Sequence, residues 1–251
     1  MRAQRGEEAT VVAGGTFLAI LINQRLLQPS ALLSLRDVPG LDTISANGEL
    51  RLGAMTTHRA VELSPIVREG WPALAYAFSL VASQRVRNQA TVGGVLADAD
   101  YASDPPAMFV ALRARAVARS RGGEREIPVE ELITGYYETS LRPDELIAEV
   151  RVSGGAERAV YRKFRSRSHE DRPCVAVAAA LAGGELRVAV GAVAERPQYF
   201  PKLCEGSPAE IGRRYAEAIS PLSDIRGSAE YRRRVIAVEV RRALEELRWT
   251  G

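Results

Sequence analysis

Residues 87–107 read Arg-Asn-Gln-Ala-Thr-Val-Gly-Gly-Val-Leu-Ala-Asp-Ala-Asp-Tyr-Ala-Ser-Asp-Pro-Pro-Ala. Gly93 and Gly94 follow a short apolar step. Three acidic residues come next (Asp98, Asp100 and Asp104), and Pro105-Pro106 then opens an apolar helical run. Glycines carry no side chain, so backbone N–H groups beside them can approach an anionic ligand closely. Asp104 is placed to cap the helix that the prolines begin. A carboxylate there equally suits the hydroxyls of a ligand. Standing alone, a Gly-Gly turn before an N-cap is ordinary punctuation.

It does not stand alone. Ala13-Gly14-Gly15-Thr16 lies upstream, between a strand-like step at 10–12 and a helix-like run at 17–27. Two such loops can close on one pyrophosphate, each offering N–H groups and one of them a helix N-terminus. The helix end contributes about 0.3–1 kcal/mol of favourable field. The charge-assisted N–H bonds carry more.

The 251 residues give room for one large domain or two modest ones. With 46% hydrophobic and 26% charged residues, the chain has the makings of a buried core and a solvated surface. A net charge of +3 is spread rather than gathered into a basic tract, which argues against nucleic acid as partner. Nearly all the basic residues are arginine; Lys163 and Lys202 are the only lysines, so each invites a reason. Cys174 and Cys204 show no ligand spacing and fall short of the roughly four thiolates an iron–sulfur cluster needs. No metal site is expected, and unpaired cysteines fit a reducing cytoplasm. The apolar stretch at 9–22 follows Glu7-Glu8 and is broken by Gly-Gly-Thr, unlike a signal peptide. No run reaches the roughly 20 apolar residues of a membrane span.

Along the chain, 1–8 reads as the tail of a helix and 10–12 as a short strand. The run 17–27 is predicted helical, with Leu18, Leu21, Ile22 and Leu26 on one face, and 31–35 as a second strand parallel to the first through a right-handed crossover. Residues 41–45 and 49–52 form a hairpin about Asn47-Gly48. Thr57 caps a short helix, and His58 in its first turn reads as structural or solvated. Helices follow at 71–82 and 105–112, then strands at 116–120 and 145–152 around a connection at 128–137. Ser153-Gly154-Gly155 is the expected domain boundary. Beyond it come strands at 159–164, 174–181 and 185–193, the last two joined at Ala182-Gly183-Gly184. Helices at 208–219 and 228–247 close the chain, the last with an apolar stripe of Ile236, Val240, Leu244 and Leu247. The second unit is thus three antiparallel strands plus helices, and the whole is α+β.

In this order and spacing the motifs resemble those of the FAD-binding (medium) subunits of the molybdenum hydroxylases, the xanthine dehydrogenase and carbon monoxide dehydrogenase group. Ala13-Gly14-Gly15-Thr16 is similar to the family's first flavin loop and Thr91-Val92-Gly93-Gly94 to its second. Leu52-Gly53-Ala54-Met55-Thr56-Thr57-His58 and Asp104-Pro105-Pro106-Ala107 resemble its neighbouring segments. Lys163 through Ser166-Arg167 to Asp171-Arg172-Pro173, and 224–233 (Asp-Ile-Arg-Gly-Ser-Ala-Glu-Tyr-Arg-Arg), resemble signatures of its second domain. The chain departs from the pattern at Val95, where asparagine is usual, and at Ser168, where arginine is frequent. Family members begin with a further strand and helix, and Met1 falls near the end of that helix.

The resemblance implies a two-lobed FAD-binding domain of the vanillyl-alcohol-oxidase (PCMH) type at 1–152, with lobes at roughly 1–45 and 46–152, and a C-terminal domain at 156–251. It implies that Gly14, Gly15 and Thr16 hold the FAD diphosphate through backbone N–H groups, with Ala13, Phe17 and Leu18 completing the loop. Thr91, Gly93 and Gly94 would approach from the other side and Asp104 would accept from ribose hydroxyls. Lys163 would lie against the pyrimidine edge of the flavin, where a cation favours the anionic reduced ring. It implies no acid–base catalyst on this chain. FAD would be non-covalent, with the molybdenum cofactor on a large partner and 2Fe–2S clusters on a small one, assembled as a dimer of heterotrimers. Electrons would leave towards NAD+, a quinone or oxygen. Two other readings stand beside it: a stand-alone FAD oxidase of the same flavin fold, for which the part after Gly155 is short, and a non-catalytic assembly subunit that binds no flavin.

Overall fold

Short-period patterning places the first elements. The computed structural model describes residues 9–168 and 170–249; the helix tail read at 1–8 lies outside them. Strand β1 (Ala9–Val12) runs into the first glycine loop, a helix follows at Leu18–Asn23, and β2 (Ala31–Ser34) returns parallel to β1. The helix is shorter than its apolar spacing predicts. None of its residues is buried, and Arg25 turns out of it at φ +58°. A short helix gains length from tertiary packing, which this one lacks.

Asn47-Gly48 makes the expected hairpin between β3 (Ile44–Ala46) and β4 (Leu50–Gly53), with Gly48 at φ +76°. Thr57 caps the helix His58–Leu63, its side chain accepting the Ala60 N–H at 3.1 Å. Prolines then open the helices Pro65–Gly70, Pro72–Ser79 and Pro105–Ala111. Strand β5 (Arg115–Ser120) pairs with β6 (Gly123–Pro128), a strand the sequence did not reveal. Its burial explains this: at this sheet edge only Ile127 is buried and no apolar alternation exists. One helical turn (Val129–Leu132), a small ribbon of β7 (Ile133–Gly135) and β8 (Glu138–Thr139), and β9 (Leu146–Val152) complete the unit. Strands β3, β4, β9, β5 and β6 form one antiparallel sheet in that order. Its inner residues Leu50, Leu52, Ala116 and Val150 share a core with Leu74, Phe78, Leu96 and Phe109 from the helices.

The second unit holds β10 (Arg158–Phe164), β11 (Val175–Ala182), β12 (Glu185–Gly191) and β13 (Gln198–Tyr199), paired antiparallel in chain order. The three-stranded expectation is corrected to four: β13 pairs through Ala189 and Val190, and two residues are too few to show a period. Ser207 and Glu210 form a capping box for the helix Pro208–Ala218, and Ser228 caps Ala229–Leu247. Alternate residues of β11 point to opposite faces. Val175, Val177, Ala179 and Leu181 meet these two helices, whereas Ala176, Ala178 and Ala180 belong to the core of the first unit. Cys174 and Cys204 are free and buried.

Candidate functional site

A cleft of about 1480 Å³, counted out to its solvent-facing mouth, runs between the first glycine loop, the second glycine helix and strand β10. Ala13, Gly14, Gly15, Thr16, Phe17, Leu18, Thr91, Gly93, Gly94, Asp104 and Lys163 all line it. The structure therefore brings together every site residue singled out in the sequence, though not always in the manner expected.

The first loop keeps its donors free. Among the described residues, the N–H groups of Gly14, Gly15, Thr16 and Phe17 have no acceptor, and Gly15 takes φ +72°. Gly14 touches the other loop: a Cβ there would stand 1.9 Å from the Gln89 carbonyl oxygen, two residues before Thr91. Phe17 is held by a stacked ring contact to Tyr137, centroids 5.7 Å apart.

The second loop is corrected. Thr91-Val92-Gly93-Gly94 is no open turn of donors but the start of a helix, Val92–Ala97, capped by the Thr91 side chain. The Val92 N–H donates to the Thr56 carbonyl at 3.0 Å and the Gly93 N–H to the Ala54 carbonyl at 2.8 Å; the Gly94 N–H reaches Thr91 Oγ1 at 3.1 Å. These donors are spent on the protein. Gly93 is needed for close packing, since a Cβ would lie 2.6 Å from that of Ala54 and 3.0 Å from its carbonyl oxygen. Gly93→Val is expected to lower stability by about 1–3 kcal/mol through this overpacking. Thermal melting of the variant checks it, and an unchanged midpoint would refute the packing role.

Asp104 is corrected too. It precedes its helix with helical angles, φ −74° and ψ −51°, and its side chain makes no cap. Instead Oδ1 accepts from the Tyr161 hydroxyl at 2.7 Å and Oδ2 from Lys163 Nζ at 2.9 Å; Lys163 also donates to the Leu80 carbonyl at 2.8 Å. The Asp104 and Lys163 side chains are 4% and 1% exposed, so this lysine is no solvated strand-edge group. Burial drives the Asp104 carboxyl up and the Lys163 ammonium down, while their mutual attraction favours the charged pair. Being paired, the two residues line the same part of the cleft wall. The pairing places the carboxylate expected at the ribose hydroxyls beside the ammonium expected at the flavin edge.

His58 is structural rather than solvated. It is 1% exposed, packs edge-on against Phe78, and has Nε2 3.2 Å from the Thr91 carbonyl oxygen. Burial pushes its pKa down to about 4, so the neutral ring donates its Nε2–H to that carbonyl and steadies the helix cap. Asp98, Asp100 and Arg172, present in the quoted motifs but assigned no site role there, also line the cleft. Arg172 reaches from the second unit to within 2.7 Å of Asp100. The two aspartates stood in the quoted stretch, but nothing local marked Arg172 as their neighbour.

An elongated groove with bare backbone donors at a glycine loop and a buried cation within it is the form of a nucleotide-cofactor site in a redox protein. Comparison with known proteins makes the class specific. Residues 1–153 match the FAD binding domain in molybdopterin dehydrogenase, and 159–247 match the CO dehydrogenase flavoprotein C-terminal domain. The chain belongs to the FAD-binding medium subunits of the molybdenum hydroxylases, FAD-dependent oxidoreductase subunits. It is 34% identical over 256 residues to the nicotine 6-hydroxylase medium subunit of Paenarthrobacter nicotinovorans, covering 96% of this chain and 90% of that one. The carbon monoxide dehydrogenase medium chain of Hydrogenophaga pseudoflava is 30% identical over 257 residues, again covering 96% of this chain and 90% of the relative. A structure of carbon monoxide dehydrogenase from that organism superposes with a TM-score of 0.92 at 29% identity, covering 98% of this chain and 91% of the other. Val95, the departure noted above, is 8% exposed and lines the cleft.

Proposed function

We propose that the cleft holds FAD non-covalently and that the chain is the flavoprotein member of a three-part hydroxylase. The residues present fit the group. The free N–H groups of Gly14, Gly15, Thr16 and Phe17 are the single observation that carries this reading, because a diphosphate needs such donors. Ala13 and Leu18 complete that loop. Thr91, Gly93 and Gly94 wall the cleft opposite, their helix packed closely enough to leave room. Lys163, charged and fixed by Asp104, would favour an electron-rich ring beside it. The chemistry supplied by bound FAD is the acceptance and release of electrons; the chain's own part is to position it and set its electrostatic surroundings.

In this proposal a large partner carries the molybdenum cofactor, a small partner carries 2Fe–2S clusters, and the three chains pair as a dimer of heterotrimers. Electrons leave towards NAD+, a quinone or oxygen. We place the complex in the cytoplasm, in keeping with two buried free thiols; no helix among the described residues is long and apolar enough to cross a membrane. The expected result of purification is a yellow protein with one FAD per chain, accompanied by two further subunits, iron and molybdenum. A colourless chain that still captures both partners would favour the assembly-only reading, to which the spent donors of the second loop lend support. A flavin-loaded chain without partners would favour a stand-alone oxidase.

A further inference from the structure

The acidic groups of the cleft are not all balanced. Asp104 is paired with Lys163, Asp100 with Arg172, and Glu145 with Arg125 at 2.7 Å. Asp98, at the end of the second glycine helix, lines the same cleft and has no hydrogen-bond or ion-pair partner for its carboxyl among the described residues. The groups facing it are Asp100 on its own segment and Arg172 from the second unit. Arg172 is already engaged by Asp100 and by a hydrogen bond to Tyr137. Exposed Glu170 adds a further negative charge at the cleft wall.

An anionic dinucleotide entering this cleft brings its own negative charge towards a carboxyl that has no ion-pair partner among the described residues and only the more distant attraction of Arg172. In a partly desolvated site such like charges repel strongly. The least costly relief is protonation of the unpaired group. We propose that the cleft takes up one proton from solvent as it binds FAD, and that Asp98 is the residue that carries it. The inference rests on the reading of the cleft as an FAD site. Burial, and then the neighbouring Asp100 carboxylate, already push the Asp98 carboxyl up to about 7, so it is partly ionised at neutral pH before ligand arrives. The bound anion raises it further. Affinity is then greatest below the value in the free protein and declines as pH rises through it, by at most about tenfold per pH unit for one proton.

The test is calorimetric titration of the full chain, freed of flavin, with FAD in buffers of different ionisation enthalpy. At pH 8 the expected uptake approaches one proton per FAD, and affinity falls by about tenfold between pH 7 and 8.5. In Asp98→Asn, a neutral residue of the same shape, uptake disappears, the pH profile flattens, and binding at pH 8.5 becomes tighter than in the parent. Asp98→Ala should flatten the profile in the same way, which separates titration from a packing defect. FAD binding without proton uptake, or uptake persisting in both variants, would overturn the role of Asp98 while leaving the FAD site standing. Failure of the parent chain to bind FAD at any pH would instead remove the cofactor reading itself, and this inference with it.

Discussion

Gly14→Val should yield a chain that purifies without flavin. A Cβ at this position meets the Gln89 carbonyl oxygen at 1.9 Å, its carbon at 2.7 Å and the Ala90 Cα at 3.1 Å. All three are backbone atoms, so no side chain can swing aside. The obstructed segment is itself anchored, since the Ala90 carbonyl accepts the His58 N–H at 2.8 Å and the Ala90 N–H donates to Val86 at 2.8 Å. The first loop must retreat, carrying its free donors away from the second glycine helix. Overpacking of this kind costs about 1–3 kcal/mol. Spent on the geometry of the site, the upper part of that range is a loss of about a hundredfold in affinity. The ratio of flavin to protein absorbance in the purified variant is the measurement. Full flavin content would mean that contact between the two glycine segments does not form the grip.

Arg232→Met should cost about 3–5 kcal/mol, the range for removing one partner of a buried ion pair. Arg232 is 0% exposed. Its guanidinium donates to the carbonyls of Cys174, Ala192 and Gly227 and pairs with Asp224. Methionine fills much of the space but strands the carboxylate and the carbonyls. Against a total of roughly 5–15 kcal/mol, this is a large fraction of the protein's stability. Lysine should not restore it, because one ammonium cannot replace a planar fork. Burial alone would raise the Asp224 carboxyl, but the Arg226 N–H and Arg232 hold it below the ordinary carboxylate range, at about 2. Its contribution is therefore present above about pH 4 and lost as pH falls towards 2. Urea unfolding at pH 7 and pH 3 measures both effects. The gap between parent and variant should narrow at the lower pH; a constant gap would argue against the ion pair as the cause.

What could be read from the chain itself followed a physical rule. Features set by neighbours in sequence were legible: the Asn47-Gly48 turn, the Thr57 cap, the Gly183-Gly184 hairpin and the two glycine segments each depend on a few adjacent residues. Features set by distant partners were not. Asp104 looked like a helix cap because prolines follow it, and its true partners Tyr161 and Lys163 lie on strand β10 of the second unit. Gly93 and Gly94 looked like a loop of open donors, but the Ala54 carbonyl takes the Gly93 N–H and the Thr91 side chain takes that of Gly94. Asp98 and Asp100 stood in plain view, yet their distinction arises because Arg172 forms an ion pair with Asp100 and only a weaker, longer-range attraction to Asp98. Charged β6 and two-residue β13 carried too little periodicity to be seen.

Strand β11, covered on both sides, gives the molecule a spine. Severing the chain at Gly154-Gly155 would strip the alanine side of that spine from the front half and leave it bare on the back half. Neither fragment would keep a finished interior. The glycine joint lies where the two family matches meet, but the halves share one interior and are expected to unfold together.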